Sequence, residues 1–189
     1  MRDYTLVTFE NPKSPVSEAY RILRTNIQFA NVDKAMKTIL FTSAGPAEGK
    51  SSTVANLACA IAQAGKNELI IDADLRKPSQ HKIFEFDNHF GLSNTLVDDV
   101  SSMSYVRKTR QEGLDVLTSG PIPPNPAELL GSMRMKKIIQ DACAIYDMIL
   151  IDSPPIIAVS DASVLAQLVD GAILVLAAGE VTRDYAVQA

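Results

Sequence analysis

Residues 42–52 read Thr42-Ser43-Ala44-Gly45-Pro46-Ala47-Glu48-Gly49-Lys50-Ser51-Ser52. The sequence predicts an apolar strand immediately before this run, at 38–42, and a helix after it, at about 50–64. A strand–loop–helix unit of this kind cradles phosphate, because backbone N–H groups near the helix start point at phosphate oxygens and the helix dipole favours negative charge. The flanking signals therefore favour a phosphate loop over an ordinary Gly/Pro turn before a helix.

The loop departs in one respect from the usual G-x-x-x-x-G-K-[ST] pattern of phosphate loops. Ala44 stands at the first Gly position, and Gly45 comes one residue later. Lys50 would add a point charge to the β- and γ-phosphates of a nucleotide, and the Ser51 hydroxyl can ligate magnesium. The predicted nucleotide-binding residues are Ala44, Gly45, Pro46, Ala47, Glu48, Gly49, Lys50, Ser51 and Ser52.

Acidic residues follow two further predicted strands. Asp72 and Asp74 lie at the end of a strand at 68–73, Asp152 ends a strand at 148–152, and Asp161 belongs to a weaker third segment. Taken alone, Asp152 would be an ordinary turn or N-cap aspartate. With the phosphate loop upstream, it is placed to hold magnesium through water, since the ends of parallel strands lie beside such a loop.

The pair Asp72 and Asp74 carries the argument for catalysis. Residues two apart on a strand share one face if the extended geometry persists, and two neighbouring carboxylates repel unless a cation or a proton lies between them. A protein that only binds nucleotide has no need of this second pair, so we interpret it as part of a phosphoryl-transfer site instead of a surface turn. Arg76 could bind phosphate or pair with these acids, and the sequence leaves both alternatives open.

Composition restricts the class of protein. The chain has 189 residues, 47% hydrophobic and 21% charged, with a net charge of −4, which fits one globular domain and argues against nucleic-acid or membrane binding through bulk charge. Cys59 and Cys143 lie in apolar helical contexts typical of free thiols in a reducing compartment. The sequence opens with no signal-peptide pattern and has no apolar run of membrane-spanning length. We therefore expect a cytoplasmic domain, with a membrane partner left open.

Apolar periodicity predicts an α/β fold: a mainly parallel sheet with helices on both faces, like that of P-loop NTPases, in a single domain over 1–189. An N-terminal arm and helix would occupy 1–30, and the nucleotide-binding core 38–178. The strands are near-continuous apolar runs, which is typical of a sheet covered on both faces. Further strands are expected at 114–118 and 172–177, and helices at 15–27, 92–97, 103–109, 126–146 and 161–169, with Ser14 and Asn125 as caps.

Two groups of polar residues have unremarkable interpretations on their own. Glu18, Arg21 and Arg24 follow at three-residue steps on the first long helix, where a solvated charged face with one intrahelical ion pair is the simplest reading. His81 and His89 are expected to be ordinary surface residues, because their spacing offers no metal site.

Together these motifs resemble the cytoplasmic kinase domain of the bacterial tyrosine kinases that regulate capsule and exopolysaccharide synthesis. The loop at 42–52 is similar to the family's phosphate loop, 70–76 to its second Walker A segment and 149–155 to its Walker B segment. The charged triplet Glu18, Arg21 and Arg24 resembles the family's N-terminal motif tied to ring-like self-association. The stretch 120–130 also fits, so the resemblance extends over nearly the whole chain.

This resemblance implies a protein tyrosine kinase dependent on ATP and Mg²⁺ that autophosphorylates in trans. It implies Asp72 as the base that accepts the tyrosine proton, Asp74 and Asp152 as magnesium-organising acids, and Lys50 and Ser51 on the nucleotide. The implied partners are a transmembrane modulator, tyrosine substrates that include the family's own tail, and further copies of the chain. The domain would be cytoplasmic and reach the membrane through its modulator, and no nucleic acid is expected.

Two observations keep other functions open. The family's tail, a cluster of tyrosines, does not occur in this sequence, so an ATP-binding module without catalysis is one alternative. The other is a partition or division-site ATPase, a class with the same sheet and carboxylates. That class carries a signature lysine early in the loop, at the position that Gly45 occupies here.

Overall fold

The computed structural model describes residues 5–30 and 36–189. The described strands are β1 (Thr38–Ser43), β2 (Glu68–Asp72), β3 (Arg107–Lys108), β4 (Leu114–Leu117), β5 (Met148–Asp152) and β6 (Gly171–Val175). They form one six-stranded sheet in the order β3-β4-β2-β5-β1-β6. Every neighbouring pair is parallel except β3 and β4, since the two-residue edge strand β3 runs antiparallel. The predicted mainly parallel sheet is confirmed.

Helices cover both faces of this sheet. They are α1 (Val7–Glu10), α2 (Pro15–Phe29), α3 (Lys50–Ala62), α4 (Gln80–Ile83), α5 (Leu92–Val97), α6 (Pro126–Leu130), α7 (Met133–Ile145), α8 (Asp161–Ala166) and α9 (Arg183–Gln188). One apolar cluster joins α3 to residues such as Ile70, and a second joins α7 to the opposite-facing Ile71. Within the described ranges, the model contains no helix of sufficient length and apolarity to span a bilayer.

The described N-terminal residues form two helices that contact the rest of the domain, whereas an arm was expected for the first of them. Ser14 caps α2 as predicted, with its hydroxyl accepting from the Ser17 N–H at 3.1 Å and Pro15 at the first helical position. The short helix α1 docks on α3, because the Thr8 N–H donates to Asn56 Oδ1 at 3.0 Å and Gln63 Nε2 donates to the Thr8 carbonyl at 3.0 Å. Residues 1–4 of the predicted arm lie outside the described part of the chain.

The helix predicted at 103–109 is wrong. Residues 102–105 form turns, and Arg107 and Lys108 form the edge strand β3. Met103, Tyr105 and Val106 pack against the core from these turns, so their apolar spacing reflects contacts with the core and not a helical face.

The single helix predicted at 126–146 is also wrong, because it divides into α6 and α7 at Gly131 and Ser132. The Ser132 hydroxyl accepts from the Met135 N–H at 3.2 Å and so caps a new helix. The Asn125 side chain makes no cap to the backbone and instead donates to Glu128 Oε2 at 2.7 Å. The cap of the longer helix is thus seven residues later than the sequence suggested.

The last predicted strand, at 172–177, begins one residue earlier and ends at Val175. Its residues are half-buried or exposed in alternation, whereas β1 and β2 are buried throughout. The expectation that both faces of every strand are covered therefore holds for the central strands and not for β6.

Glu68, the first residue of β2, generates a prediction about stability. It is fully buried, neither carboxylate oxygen has a hydrogen-bond partner in the described structure, and burial raises its pKa well above the ordinary 4.5. A raised carboxyl pKa in the folded state gives stability that is complete below the unfolded-state pKa and is lost as pH rises towards the folded one. Glu68→Gln should therefore stabilise the protein increasingly with pH, at up to about 1.4 kcal/mol per pH unit.

Urea unfolding of both proteins at pH 5 and pH 8 measures this effect. The gain in free energy of unfolding should be larger at pH 8. Glu180→Gln, at an exposed position, is the matched control and should show no such widening. Equal gains for Glu68→Gln at the two pH values would contradict the assignment of a neutral buried carboxyl.

Candidate active site

The phosphate loop runs from the end of β1 to the start of α3 and passes through two left-handed residues, Ala47 (φ 65°) and Gly49 (φ 78°). A β-carbon at Gly49 would meet nothing within 4 Å, so its backbone conformation and not lack of space favours glycine. The Gly45 N–H donates to the Glu48 carboxylate, and the Ser43 hydroxyl donates to the Gly45 carbonyl at 2.7 Å. The predicted strand–loop–helix unit is present.

Lys50, at the first turn of α3, joins this loop to the end of β5. Its Nζ forms an ion pair with Asp152 Oδ1 and lies 3.2 Å from the Ser51 hydroxyl. Lys50 is only 7% exposed and Asp152 is fully buried. Burial alone would lower the pKa of Lys50, but the charge and hydrogen bond of Asp152 outweigh burial and raise it. The site therefore contains a fixed cation between loop and sheet.

Asp72 and Asp152 are lateral neighbours, because β2 and β5 pair in a register that places one opposite the other. Both are fully buried. Burial raises the pKa of Asp72 most, the charge of Asp152 raises it further, and a hydrogen bond from the Gln80 backbone opposes them. A carboxyl pKa displaced upwards in this way suits a group that accepts a proton near neutral pH.

Asp74 lies beyond the end of β2, so the extended geometry predicted to continue through it does not persist. Its Oδ1 accepts from the Arg76 N–H at 3.3 Å and the Lys77 N–H at 2.9 Å. Asp72 in turn accepts the Asp74 N–H at 3.3 Å on Oδ1. The chain thus turns around the two carboxylates, and Asp74 lines the cleft that faces the phosphate loop.

Arg76 resolves an alternative that the sequence left open. Its Nε and Nη2 donate to the two oxygens of Asp161 at 2.9 and 3.0 Å, a bidentate pair. Asp161 is fully buried, whereas the Arg76 side chain is 41% exposed. Arg76 therefore pairs with the third acidic segment and not with Asp72 or Asp74, which ties the turn after β2 to the start of α8.

Two residues of α4 belong to the site and were not predicted. Gln80 is fully buried, and its Nε2 donates to Asp152 Oδ2 at 2.7 Å and to the Ser51 carbonyl at 3.1 Å. The N–H groups of Ser79 and Gln80 donate to Asp72 Oδ2 at 3.1 and 2.9 Å. A glutamine in a polar segment gives no motif signal, so only the fold reveals that it touches both strand ends.

His81 is the second of these residues, and its assignment to the ordinary surface is wrong. It lines the cleft, and its buried Nδ1 has no hydrogen-bond partner in the described structure. Burial and then the charge of Lys82 lower the pKa of His81. The imidazole of His81 is consequently neutral at physiological pH, and it lines the site in that form.

A cleft of about 790 Å³ opens over the loop and is lined by Lys50, Ser51 and Asp74 among other residues. In the described ranges, no three acidic, histidine or cysteine side chains could hold a metal ion by themselves. Mg²⁺ does not require such a cage, since it takes one or two carboxylates and completes its shell with phosphate oxygens and water. The donor set of Ser51, Asp74 and Asp152 fits that ion, and the crowded pair Asp72 and Asp152 provides negative charge for it to neutralise.

The three charged residues predicted as one motif on α2, Glu18, Arg21 and Arg24, have different partners in the structure. Glu18 and Arg21 form an exposed intrahelical ion pair at 2.8 Å, as expected for a solvated face. Arg24 instead donates to the Ala60 carbonyl at 2.8 Å, in the last turn of α3. Arg24 therefore attaches α2 to the body of the domain, where a cation also interacts favourably with the negative end of the helix dipole.

Comparison with known proteins agrees with this geometry. A family model described as an AAA domain matches residues 36–181. Tyrosine-protein kinase YwqD of Bacillus subtilis (strain 168) is 50% identical over 184 residues, which are 97% of this chain and 78% of YwqD. The solved kinase domain of Escherichia coli tyrosine kinase ETK has a TM-score of 0.93 at 34% identity, over 100% of this chain and 74% of that one. This chain belongs to the family of bacterial tyrosine-protein kinases.

A septum site-determining protein is similar to this chain in its fold alone. MinD of Pyrococcus horikoshii OT3, complexed with Mg-ADP, has a TM-score of 0.64 at 24% identity over 74% of this chain and 57% of that one. A β-carbon at Gly45 would lie 3.2 Å from Glu48 Oε1 and 3.5 Å from the Tyr185 ring. The space around Gly45, where the rival class of ATPases carries its lysine, is thus filled by other side chains.

Gln80 generates a prediction for this site. Gln80→Leu should destabilise the protein by about 1–3 kcal/mol, because the buried Asp152 Oδ2 loses its amide donor. The backbone donors to Asp72 would remain. Gln140→Leu, on the exposed face of α7, is the control and should change the free energy of unfolding by no more than about 0.5 kcal/mol. Urea unfolding measures both, and equal effects would show that the Gln80 amide is not needed by Asp152.

Proposed function

We propose that this chain is a Mg-ATP-dependent protein tyrosine kinase. The observation that carries the proposal is the position of the buried Asp72 opposite Asp152, whose carboxylate pairs with Lys50 at the end of the phosphate loop. This carboxylate distinguishes a phosphoryl-transfer site from simple nucleotide binding but not from a switch ATPase, which has the same carboxylates. Membership of the tyrosine-protein kinase family supports the same reaction.

Each residue has a defined part in that reaction. Loop N–H groups and Lys50 bind the β- and γ-phosphates and hold the terminal phosphorus towards the cleft. Magnesium, when bound by Ser51 and by Asp152 and Asp74 directly or through water, neutralises developing charge on the phosphates. Asp72 accepts the phenolic proton as the tyrosine oxygen bonds to phosphorus and the bond to the ADP oxygen breaks. Since Lys50 is paired with Asp152 here, phosphate oxygens must compete with that carboxylate for it.

The acceptor is not a packed tyrosine of the core. The Tyr146 hydroxyl donates to Asp115 Oδ2 at 2.8 Å, and burial, followed by this hydrogen bond, raises the pKa of Tyr146. In-line attack requires a hydroxyl about 3–3.5 Å from phosphorus, which a tethered residue on the β4 side of the sheet does not meet. We propose transfer in trans to tyrosines of flexible segments, including the family's tail.

The setting of the activity follows from the same family. We propose that the kinase acts in capsule or exopolysaccharide synthesis, assembles with further copies of itself and reaches the membrane through a transmembrane modulator. A switch ATPase is the alternative, and the presence of Gly45 at the position of its signature lysine disfavours it. Transfer of radiolabelled γ-phosphate to a tyrosine-rich peptide, followed by phosphoamino-acid analysis, separates the two. Phosphotyrosine supports the kinase, and release of phosphate alone supports the switch.

The proposed division of roles can be tested with two substitutions. Asp72→Asn should keep Mg-ATP binding and lose about 10²–10⁴ in the rate of transfer, since a general base contributes that much. Asp152→Asn should instead weaken binding that depends on magnesium. Calorimetric titration of ATP with and without Mg²⁺ and a peptide-kinase assay measure both variants. If the two variants behave alike in both assays, this division of roles is wrong.

Self-association through α2 has its own test. Glu18→Ala with Arg21→Ala should reduce assembly while the domain stays folded, because a surface ion pair adds little to stability and the bond from Arg21 to the Pro12 carbonyl is also at the surface. Arg24 is left in place, since its bond to the Ala60 carbonyl holds α2 on α3. The matched control is Lys136→Ala with Gln140→Ala, two exposed positions one turn apart on α7. Light scattering at equal concentration that gives unchanged mass for the α2 variant would contradict the assignment.

A further inference from the structure

One side of the cleft is electropositive and has no part in the roles assigned above. We call it the distal wall, and it consists of Lys77, His81, Lys82, Asn88, Gly120 and Ile122, which face the cleft across from the phosphate loop. Lys77 and Lys82 are exposed, and neither forms an ion pair with any residue in 5–30 or 36–189. They are two exposed cations that line this cleft, and Lys82 also lines a second pocket with Glu10 and Glu85.

Other charges that line the cleft are already engaged. Lys50 pairs with Asp152, and Arg76 forms its bidentate pair with Asp161. Glu48 accepts the Gly45 N–H, and Asp74 accepts two N–H groups of the turn that follows it. The distal wall is therefore where an approaching anionic group finds cations that have no internal partner.

The chain fixes this wall close to the proposed base. The Lys77 N–H donates to Asp74, and the Ser79 and Gln80 N–H groups donate to Asp72, so the segment 77–82 is wrapped around both carboxylates. Asn88 holds the opposite part of the wall by donating to the Gly120 carbonyl at 2.8 Å and accepting the Gly120 N–H at 2.9 Å. Because these side chains line the same cleft as the phosphate loop, a peptide whose tyrosine enters the cleft passes them.

We propose that Lys77 and Lys82 select acceptor tyrosines flanked by aspartate or glutamate, so that the substrates are acidic tyrosine segments. The inference rests on the proposed kinase function and specifies its substrate class. Residues of an extended peptide are about 3.3–3.6 Å apart, so positions within a few residues of the tyrosine lie over the segment 77–82. The exposed Ile122 adds an apolar surface to the same wall, beside the path of the tyrosine ring.

The test compares three synthetic peptides that share one central tyrosine and carry glutamate, glutamine or lysine on both sides. With saturating Mg-ATP, kcat/KM should be highest for the glutamate peptide, by about two- to five-fold for each cation engaged, which is the effect of an exposed charge pair. The preference should fall as NaCl is added, because salt screens such pairs. Lys77→Ala with Lys82→Ala should bring the ratio of glutamate to glutamine peptide to about one.

Further variants make the outcome decisive. Lys77→Glu with Lys82→Glu should turn the preference towards the lysine peptide, which a merely structural role would not do. Lys136→Ala, at an exposed position on α7, should leave the ratio unchanged. A wild-type preference that survives in the double alanine variant overturns the proposal. So does a rise in KM for ATP with no change in the peptide ratio, since the lysines would then serve the nucleotide.

The results also separate this inference from the kinase itself. Phosphotyrosine formed at equal rates on all three peptides keeps the proposed function and removes the substrate preference. Absence of phosphotyrosine on every peptide, with ATP still hydrolysed, contradicts both. Unfolding transitions of each variant identify any that lose activity through loss of structure.

Discussion

The ion pair of Lys50 and Asp152 is the interaction on which the site depends. The parallel register of β2 and β5 brings Asp72 and Asp152 side by side inside the protein, where two carboxylates would repel. Lys50, from the loop, places one cation against them. Removing one member of a buried pair typically costs about 3–5 kcal/mol, because the other charge is left without a partner. The same lysine pairs with a buried carboxylate and, in the proposed reaction, would bind phosphate, so its two contributions are coupled.

The segment 73–82 is the second structural constraint, since it satisfies carboxylates that the sheet alone would leave exposed to one another. Its backbone N–H groups bind Asp72 and Asp74, and the Gln80 amide reaches Asp152. The bidentate pair of Arg76 and Asp161 anchors the start of this segment to α8. Buried polar groups of this kind specify one arrangement because each unpaired member is costly. The proposed base Asp72, the phosphate loop and the distal wall consequently have fixed positions relative to one another.

The sequence predicted those features that depend on local pattern. Continuous apolar runs gave the parallel strands, and the glycine–lysine–serine run gave the loop before α3. The carboxylates at strand ends could be placed together because parallel strands end at the same edge. Errors arose where tertiary contacts override local preference, as at Met103 and Val106, whose apolar side chains reach the core from turns. Ser132, which starts a new helix inside a periodic run, gave only a weak signal.

Side-chain partners far apart in sequence were beyond prediction. Nothing near Arg76 distinguishes Asp161 from Asp72 or Asp74, because the choice depends on where α8 begins in space. Gln80 was missed for the same reason, and Arg24 was grouped with Glu18 and Arg21 although it binds the end of α3. These partners are fixed by the packing of helices on the sheet, which a single sequence does not specify.

The phosphate loop carries a carboxylate of its own close to its backbone donors. Glu48 turns its carboxylate back onto the Gly45 N–H, and its second oxygen is buried without a hydrogen-bond partner in the described structure. A carboxylate in that position uses a donor of the kind that phosphate oxygens seek. Nucleotide binding can then exchange one anion for another at Gly45, while phosphate competes with Asp152 for Lys50. In the proposed reaction an anionic phosphate oxygen replaces each displaced carboxylate, so the Gly45 N–H and Lys50 keep an anionic partner.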